Sequence, residues 1–186
     1  RCSDIPAELD QAIAEAVRTA DVVITTGGVS VGTHDVVKNS ALADVLSFVR
    51  VAMQPGKPQG HGVLTSPDGR RVPIVTLPGN PVSVFVSWHC FVVPLLNRLV
   101  GRDAETATRW TRAVAGQDWR SPAGRRQYIP VARLDNDLVV PTHRLGSGSH
   151  LIASLHLADG LAVIPADVDQ VTAGDRVDVL TTRCWR

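Results

Sequence analysis

The sequence predicts an α/β layer domain followed by a small all-β, barrel-like module. Three observations carry this expectation. Up to Gly101, short β-branched runs alternate with segments of helical apolar spacing, the order of layered α/β folds. Glycine- and proline-rich turns stand where strands should hand over to helices. After Gly101 the helical spacing stops, and short apolar runs are cut by turn residues, as in small barrels and sandwiches. The expected domains are 1–101 and 102–186, with a linker at 102–107.

The elements follow in order. Leu9, Ile13 and Val17 recur at helical spacing, and Asp4 with Pro6 makes a helix start. Residues 21–25 (DVVIT) read as a buried parallel strand, and 26–32 as a glycine-rich loop. Residues 35–46 read as a helix and 48–53 as a second strand. The loop Pro55-Gly56-Lys57-Pro58 cannot continue that strand. Residues 62–64 and 72–77 are further strands, separated by the turn Ser66-Pro67-Asp68-Gly69. Asn80 and Pro81 open a helix that runs toward Leu99, kinks at Pro94 and stops at Gly101. Beyond it, turns are expected at 121–124, 135–137, 146–148 and 173–175.

The chain is 44% hydrophobic and 20% charged with a formal charge of +1, so it has no electrostatic footprint for nucleic acid. The pairs Arg70–Arg71 and Arg125–Arg126 read as solvated faces. Cys2, Cys90 and Cys184 are far apart and form no C-x-x-C, which points to reduced thiols in a cytoplasmic protein rather than a zinc or disulfide framework. The richest apolar stretch, 82–100, is interrupted by Ser83, Ser87, His89, Pro94, Asn97 and Arg98, so no membrane span is expected. No signal peptide is visible. The chain opens on Arg1, as a fragment or processed form would.

Three loops carry the chemistry, each expected at the C-terminal end of a strand, where open α/β sheets bind ligands. In TTGGVSVGTHD, Gly27 and Gly28 let a ligand approach the backbone, and Thr25, Thr26 and Ser30 add hydroxyls. The helix expected after them offers its positive end to an anion. Asp35 could hold a divalent metal or cap that helix. In PGKP, two prolines and Gly56 fix Lys57 as a point charge for phosphate or oxyanion, although a lysine on a turn is commonly a surface residue. In LPGNP, residues Pro78, Gly79, Asn80 and Pro81 suit a strand-to-helix turn, and gain a binding role only by lying beside the other loops. His34 adjoins Asp35 and could contact a ligand. His89 falls in an apolar helix and reads as a packed residue. Ser147-Gly148-Ser149 reads as a turn. No histidine set has metal spacing, and no nucleophile motif is present.

The segments TTGGVSVGTHDVVK, VAMQPGKPQGHG and TLPGNPVSVFVSWHCFVVPLLNRLVG, in this order and spacing, resemble the molybdopterin molybdenumtransferase family, which includes the enzymatic domain of gephyrin. GRRQYIPVARL and GSGSHLIASLHLADGLAVIP resemble that family's carboxy-terminal β-barrel domain. The resemblance implies that a molybdopterin-binding α/β domain inserts molybdate into adenylylated molybdopterin, with Mg2+ assisting and AMP leaving. Asp35 matches the family's acidic residue after the glycine loop, and is the implied metal ligand. Asp4 matches an acidic residue earlier in the domain, Lys57 the PGKP lysine, and Pro78 and Pro81 the prolines of LPGNP. Arg50 falls where a basic residue is common.

The chain departs from the family in two ways. Gln54 replaces a frequent lysine, and no opening strand with a T-G-[DS]-E-L loop precedes Arg1. The family's large amino-terminal domains, which complete the active site across a homodimer, are likewise not in this sequence, so the chain alone is expected to be inactive. Two other readings remain. A pterin adenylyltransferase shares the T-G-G loop but normally ends with the α/β domain, against the tail seen here. A non-catalytic scaffold of the gephyrin type would bind receptor peptides, and the sequence holds no peptide-binding signature.

Overall fold

Pro6 opens the first helix, α1 (Pro6–Thr19), at the position where its missing N–H costs nothing. Leu9 and Val17 bury the helix's apolar face. The computed structural model describes residues 2–28, 36–103, 109–134, 137–143 and 152–182. Packing divides the chain into two compact units, Arg1–Val51 with Gly56–Asn80, and Ala52–Pro55 with Pro81–Arg186. This partition cuts earlier than the boundary expected after Gly101, because the helical stretch from Pro81 packs with the β-rich unit.

In the first unit β1 (Val23–Thr26), β2 (Ser47–Arg50), β4 (Pro58–Thr65) and β5 (Arg71–Leu77) form one sheet in the order β1-β5-β4-β2. β1 and β5 are parallel, and the other two pairings are antiparallel, so the layer is a mixed sheet. Leu9, Val17, Val23, Val37, Leu42, Leu46, Val72 and Ile74 make its core.

The helix expected over 35–46 does not form among the described residues. Residues 36–39 are turns, and only Ala41–Asp44 makes a short 3-10 helix. Ser40 accounts for the break. Its hydroxyl donates to the Val37 carbonyl at 2.8 Å and accepts from the Leu42 N–H at 3.3 Å, taking partners that a continuous helix would use. The apolar spacing was still informative, since Val37, Leu42 and Leu46 are all buried. The second expected strand also divides, into β2 and the two-residue β3 (Met53–Gln54).

The second unit is largely β. Its strands are β6 (Trp110–Ala115), β7 (Trp119–Arg120), β8 (Arg126–Arg133), β9 (Leu138–Pro141), β10 (Gly160–Ile164), β11 (Gln170–Val171) and β12 (Arg176–Thr181). The order β10-β12-β6-β9-β8 closes on itself through a β8–β10 pairing, which makes these five strands a barrel. β3 adds to β8 in parallel. Ala113, Ala115, Ile129, Val131, Ala162, Ile164, Val177 and Val179 fill the interior.

The helical stretch of this unit runs α2 (Pro81–Ser87), a π-helical turn (Trp88–Val92) and α3 (Val93–Leu99). Pro94 cannot donate a helical hydrogen bond, and the wider turn just before it meets that defect where a kink was expected. The stretch has 19 residues and is long and apolar enough, by length and composition only, to cross a membrane, contrary to expectation. Its buried Ser83, Ser87 and Asn97, with Val82, Val86 and Val92, give it the pattern of a packed helix. His89 is half-buried against the Phe85 ring, 4.8 Å between centroids, and burial pushes its pKa down to about 4.

Candidate functional site

β1 ends at Thr26, and the next two residues, Gly27 (φ +88°) and Gly28 (φ +69°), both take the left-handed conformation that side chains disfavour. The Gly27 N–H donates to the Leu77 carbonyl at 3.0 Å, which ties the loop to the end of β5. On the far side of that bond β5 turns through buried Pro78 into exposed Gly79. A side chain on Gly79 would place its Cβ 3.3 Å from Gly27 Cα, so the two loops touch backbone to backbone. Glycine at these positions permits both the turn and the contact.

Strand register sets the rest of the arrangement. β4 runs antiparallel to β5, so its start at Pro58 lies at the end of the sheet where β1 and β5 finish. β2 ends there too, with Arg50 opposite Pro58. Gly56 and Lys57 therefore share one sheet end with Thr26, Gly27, Gly28, Pro78 and Gly79. With neighbouring strands about 4.8 Å apart, the lysine turn sits roughly two strand spacings from the glycine turn. That turn is internally fixed. The Lys57 carbonyl accepts from Val51 N–H at 2.9 Å, and Gln59 Nε2 donates to the carbonyl of buried Gly56 at 2.6 Å. The Lys57 side chain is exposed and makes no ion pair among the described residues. It stands on a turn held by these two hydrogen bonds.

The remaining expected residues divide into three groups. Asn80 is half-buried and follows Gly79 directly, whereas Pro81 is exposed and heads α2 in the other unit. Ser30, His34 and Asp35, like Ser147-Gly148-Ser149 further on, lie outside the described residues. Asp4 is exposed just before α1 and makes no side-chain hydrogen bond or ion pair among the described residues. The short connection 20–22 sends β1 back along α1, which puts Asp4 toward the loop end of the layer.

One expectation is corrected. Thr25 was grouped with the ligand-facing hydroxyls, but its Oγ1 is buried. Side chains alternate along a strand, so exposed Thr26 faces away from the layer core while Thr25 faces into it. No group of three or more histidine, cysteine, aspartate or glutamate side chains comes together among the described residues.

Residues 1–98 match the family model described as the probable molybdopterin binding domain, more than half of the chain. The chain belongs to the molybdopterin-binding domain family. Residues 112–182 match the MoeA C-terminal region (domain IV), so both parts of the sequence expectation hold: an α/β domain of this family, then a small β-barrel domain. The chain is 40% identical over 167 residues to molybdopterin molybdenumtransferase 2 of Mycobacterium tuberculosis, covering 86% of this chain and 40% of that protein. It is 32% identical over 183 residues to the molybdopterin molybdenumtransferase of Nostoc sp., covering 95% and 41%. The crystal structure of a molybdopterin biosynthesis MoeA protein from Pyrococcus horikoshii aligns with a TM-score of 0.75 at 32% identity, over 99% of this chain and 43% of that one. The chain thus spans about two fifths of the length of the relatives it matches. Its glycine loop, lysine turn and proline loop all fall within the molybdopterin-binding domain match.

Proposed function

We propose that this chain is the pterin-binding and β-barrel portion of a molybdopterin molybdenumtransferase, which inserts molybdate into adenylylated molybdopterin as AMP leaves. The observation that carries the reading is the meeting of the three loops at one end of the sheet, in a chain whose relatives bear that enzyme's name. Adenylylated molybdopterin and molybdate are both anions. The half-buried backbone of Gly27 and Gly28 and the exposed backbone of Gly79 admit close approach of phosphate or oxyanion groups, and Lys57 supplies a positive charge. In this reading Thr26, Ser30, Gly56, Pro78, Asn80 and Pro81 complete the binding surface. Asp35 and Asp4 are the acidic residues of the reaction.

Mg2+ binds through one or two carboxylates plus substrate phosphates. One described carboxylate, Asp4, is exposed toward the loop end, and its donor chemistry fits that ion; Asp35, the second carboxylate of this reading, lies outside the described residues. When bound, Mg2+ would neutralise charge developing on the leaving AMP. The working protein is a cytoplasmic homodimer whose further domains complete the site. We take 1–101 and 102–186 as its two domains within this chain.

Isothermal titration of the chain with molybdopterin tests the binding, and absence of binding overturns the reading. The role of Asp35 is tested in a full-length enzyme carrying Asp35→Asn. Asparagine has nearly the size and shape of aspartate and changes only its charge, so stability should barely move, while molybdenum insertion should fall by orders of magnitude. A lower Tm with insertion intact would assign Asp35 to a structural role instead.

A further inference from the structure

Thr25 and Thr76 are register partners in the parallel β1–β5 pair, so their side chains stand side by side on one face of the sheet. It is the face that carries Val23 and Ile74 into the core. Both Oγ1 atoms are buried, Thr76 has no exposed surface, and neither hydroxyl has a hydrogen-bond partner among the described residues. Buried hydroxyls are nearly always bonded, to protein or to ordered water, because losing solvent without replacement is costly.

The row extends one strand further. Gly60 pairs with Thr76 from β4, and a Cβ there would lie 2.2 Å from Thr76 Oγ1 and 3.2 Å from Phe48 Cδ1. The missing side chain at Gly60 is what makes room for the hydroxyl. This polar row lies one residue before Leu77 and two before Gly27, whose N–H to carbonyl bond ties the two loops together.

We propose that Thr25 and Thr76 are positioning residues that share one ordered water beneath the glycine loop, and that this water fixes the ends of β1 and β5 from which Gly27, Gly28 and Gly79 are presented. Two hydroxyls side by side give a water the polar partners it requires. Without the water, valine would fill the same space at lower cost, and threonine at both positions would be a burden on folding. The effect on ligand affinity rests on the pterin-binding reading, whereas the water itself does not.

The test compares Thr25→Val, Thr76→Val and the double variant by thermal unfolding of the whole chain. A shared water predicts that either single substitution lowers Tm and that the double lowers it little further, since the first has already released the water. Thr76→Ser, which keeps the hydroxyl, should show little of the loss. Single substitutions that raise Tm, or losses that simply add, overturn the shared water. In titrations with molybdopterin, Thr76→Val should weaken binding several-fold and Thr76→Ser should restore it. Unchanged affinity in Thr76→Val overturns the positioning role. If the unsubstituted chain fails to bind, the pterin reading falls, and the unfolding comparison still decides for or against the water.

Discussion

Lys57 illustrates how much a single side chain owes to its surroundings. A lysine on a turn is usually solvated, but this turn is closed by the Val51 to Lys57 backbone bond and braced by Gln59 on Gly56. Little entropy is left for the backbone to lose when an anion arrives. Lys57→Ala should therefore weaken molybdopterin binding by about 1–3 kcal/mol, the range for a charged hydrogen bond. Equal calorimetric affinity in the two proteins would remove Lys57 from the site. His89 makes a different prediction. Burial lowers its pKa to about 4 from 6.5, so the folded state holds it neutral where the unfolded chain would protonate it. Its stability contribution is complete above about pH 6.5 and is lost as pH falls toward 4. Urea unfolding across that window should show a steeper acid loss for the native sequence than for His89→Gln. Parallel curves would refute it.

At the scale of elements, α1 shows a contact that sequence reading did not anticipate. Arg70 was read as part of a solvated pair. Instead its guanidinium donates to the Arg18 carbonyl at 2.8 Å and the Ala20 carbonyl at 3.3 Å, and pairs with Asp68 at 3.0 Å. It satisfies carbonyls that the last turn of a helix leaves open. The Ser66 hydroxyl, and after it Arg70, also hold the Asp68 carboxyl below its usual range. Arg70→Ala should cost about 1–2 kcal/mol in chemical denaturation, mostly through the open carbonyls. Arg71→Ala, on an exposed neighbour, should cost almost nothing. No pattern in the sequence marks a bond spanning some fifty residues. Local signals did better. Pro6 placed the start of α1, and DVVIT placed β1. Gly27, Gly28, Gly56, Pro78 and Gly79 also fell where the chain turns, whereas Pro58 opens β4 and Pro81 opens α2. The helix over 35–46 was misread because Ser40 competes for backbone partners, an effect that apolar spacing does not report. Thr25 was misassigned for want of strand phase: a one-residue difference in where β1 begins decides which hydroxyl faces out.

At the scale of the whole molecule, the two units manage their sheet edges differently. The five barrel strands close through β8 and β10, so each has a neighbour on both sides. The four-stranded sheet does not close: β1 pairs only with β5 among the described residues, and β2 only with β4. An unpaired strand presents a row of N–H and carbonyl groups that favours adding another strand. The edge at β1 also carries the glycine loop, so a strand added there would bear on the site itself. The chain spans about two fifths of its relatives, which have ample further sequence from which such a strand and the rest of the active site could come. Molybdate insertion should therefore be undetectable with this 186-residue chain and appear when the remaining portion of a full-length relative is supplied in trans. Thermal unfolding of the mixture should show a higher Tm than either part, because a partner that binds only the folded state stabilises it by mass action. Insertion by the chain alone at the rate of the full-length enzyme would show that β1's open edge needs no partner for the chemistry. Stabilisation without activity would instead separate completion of the sheet from completion of the site.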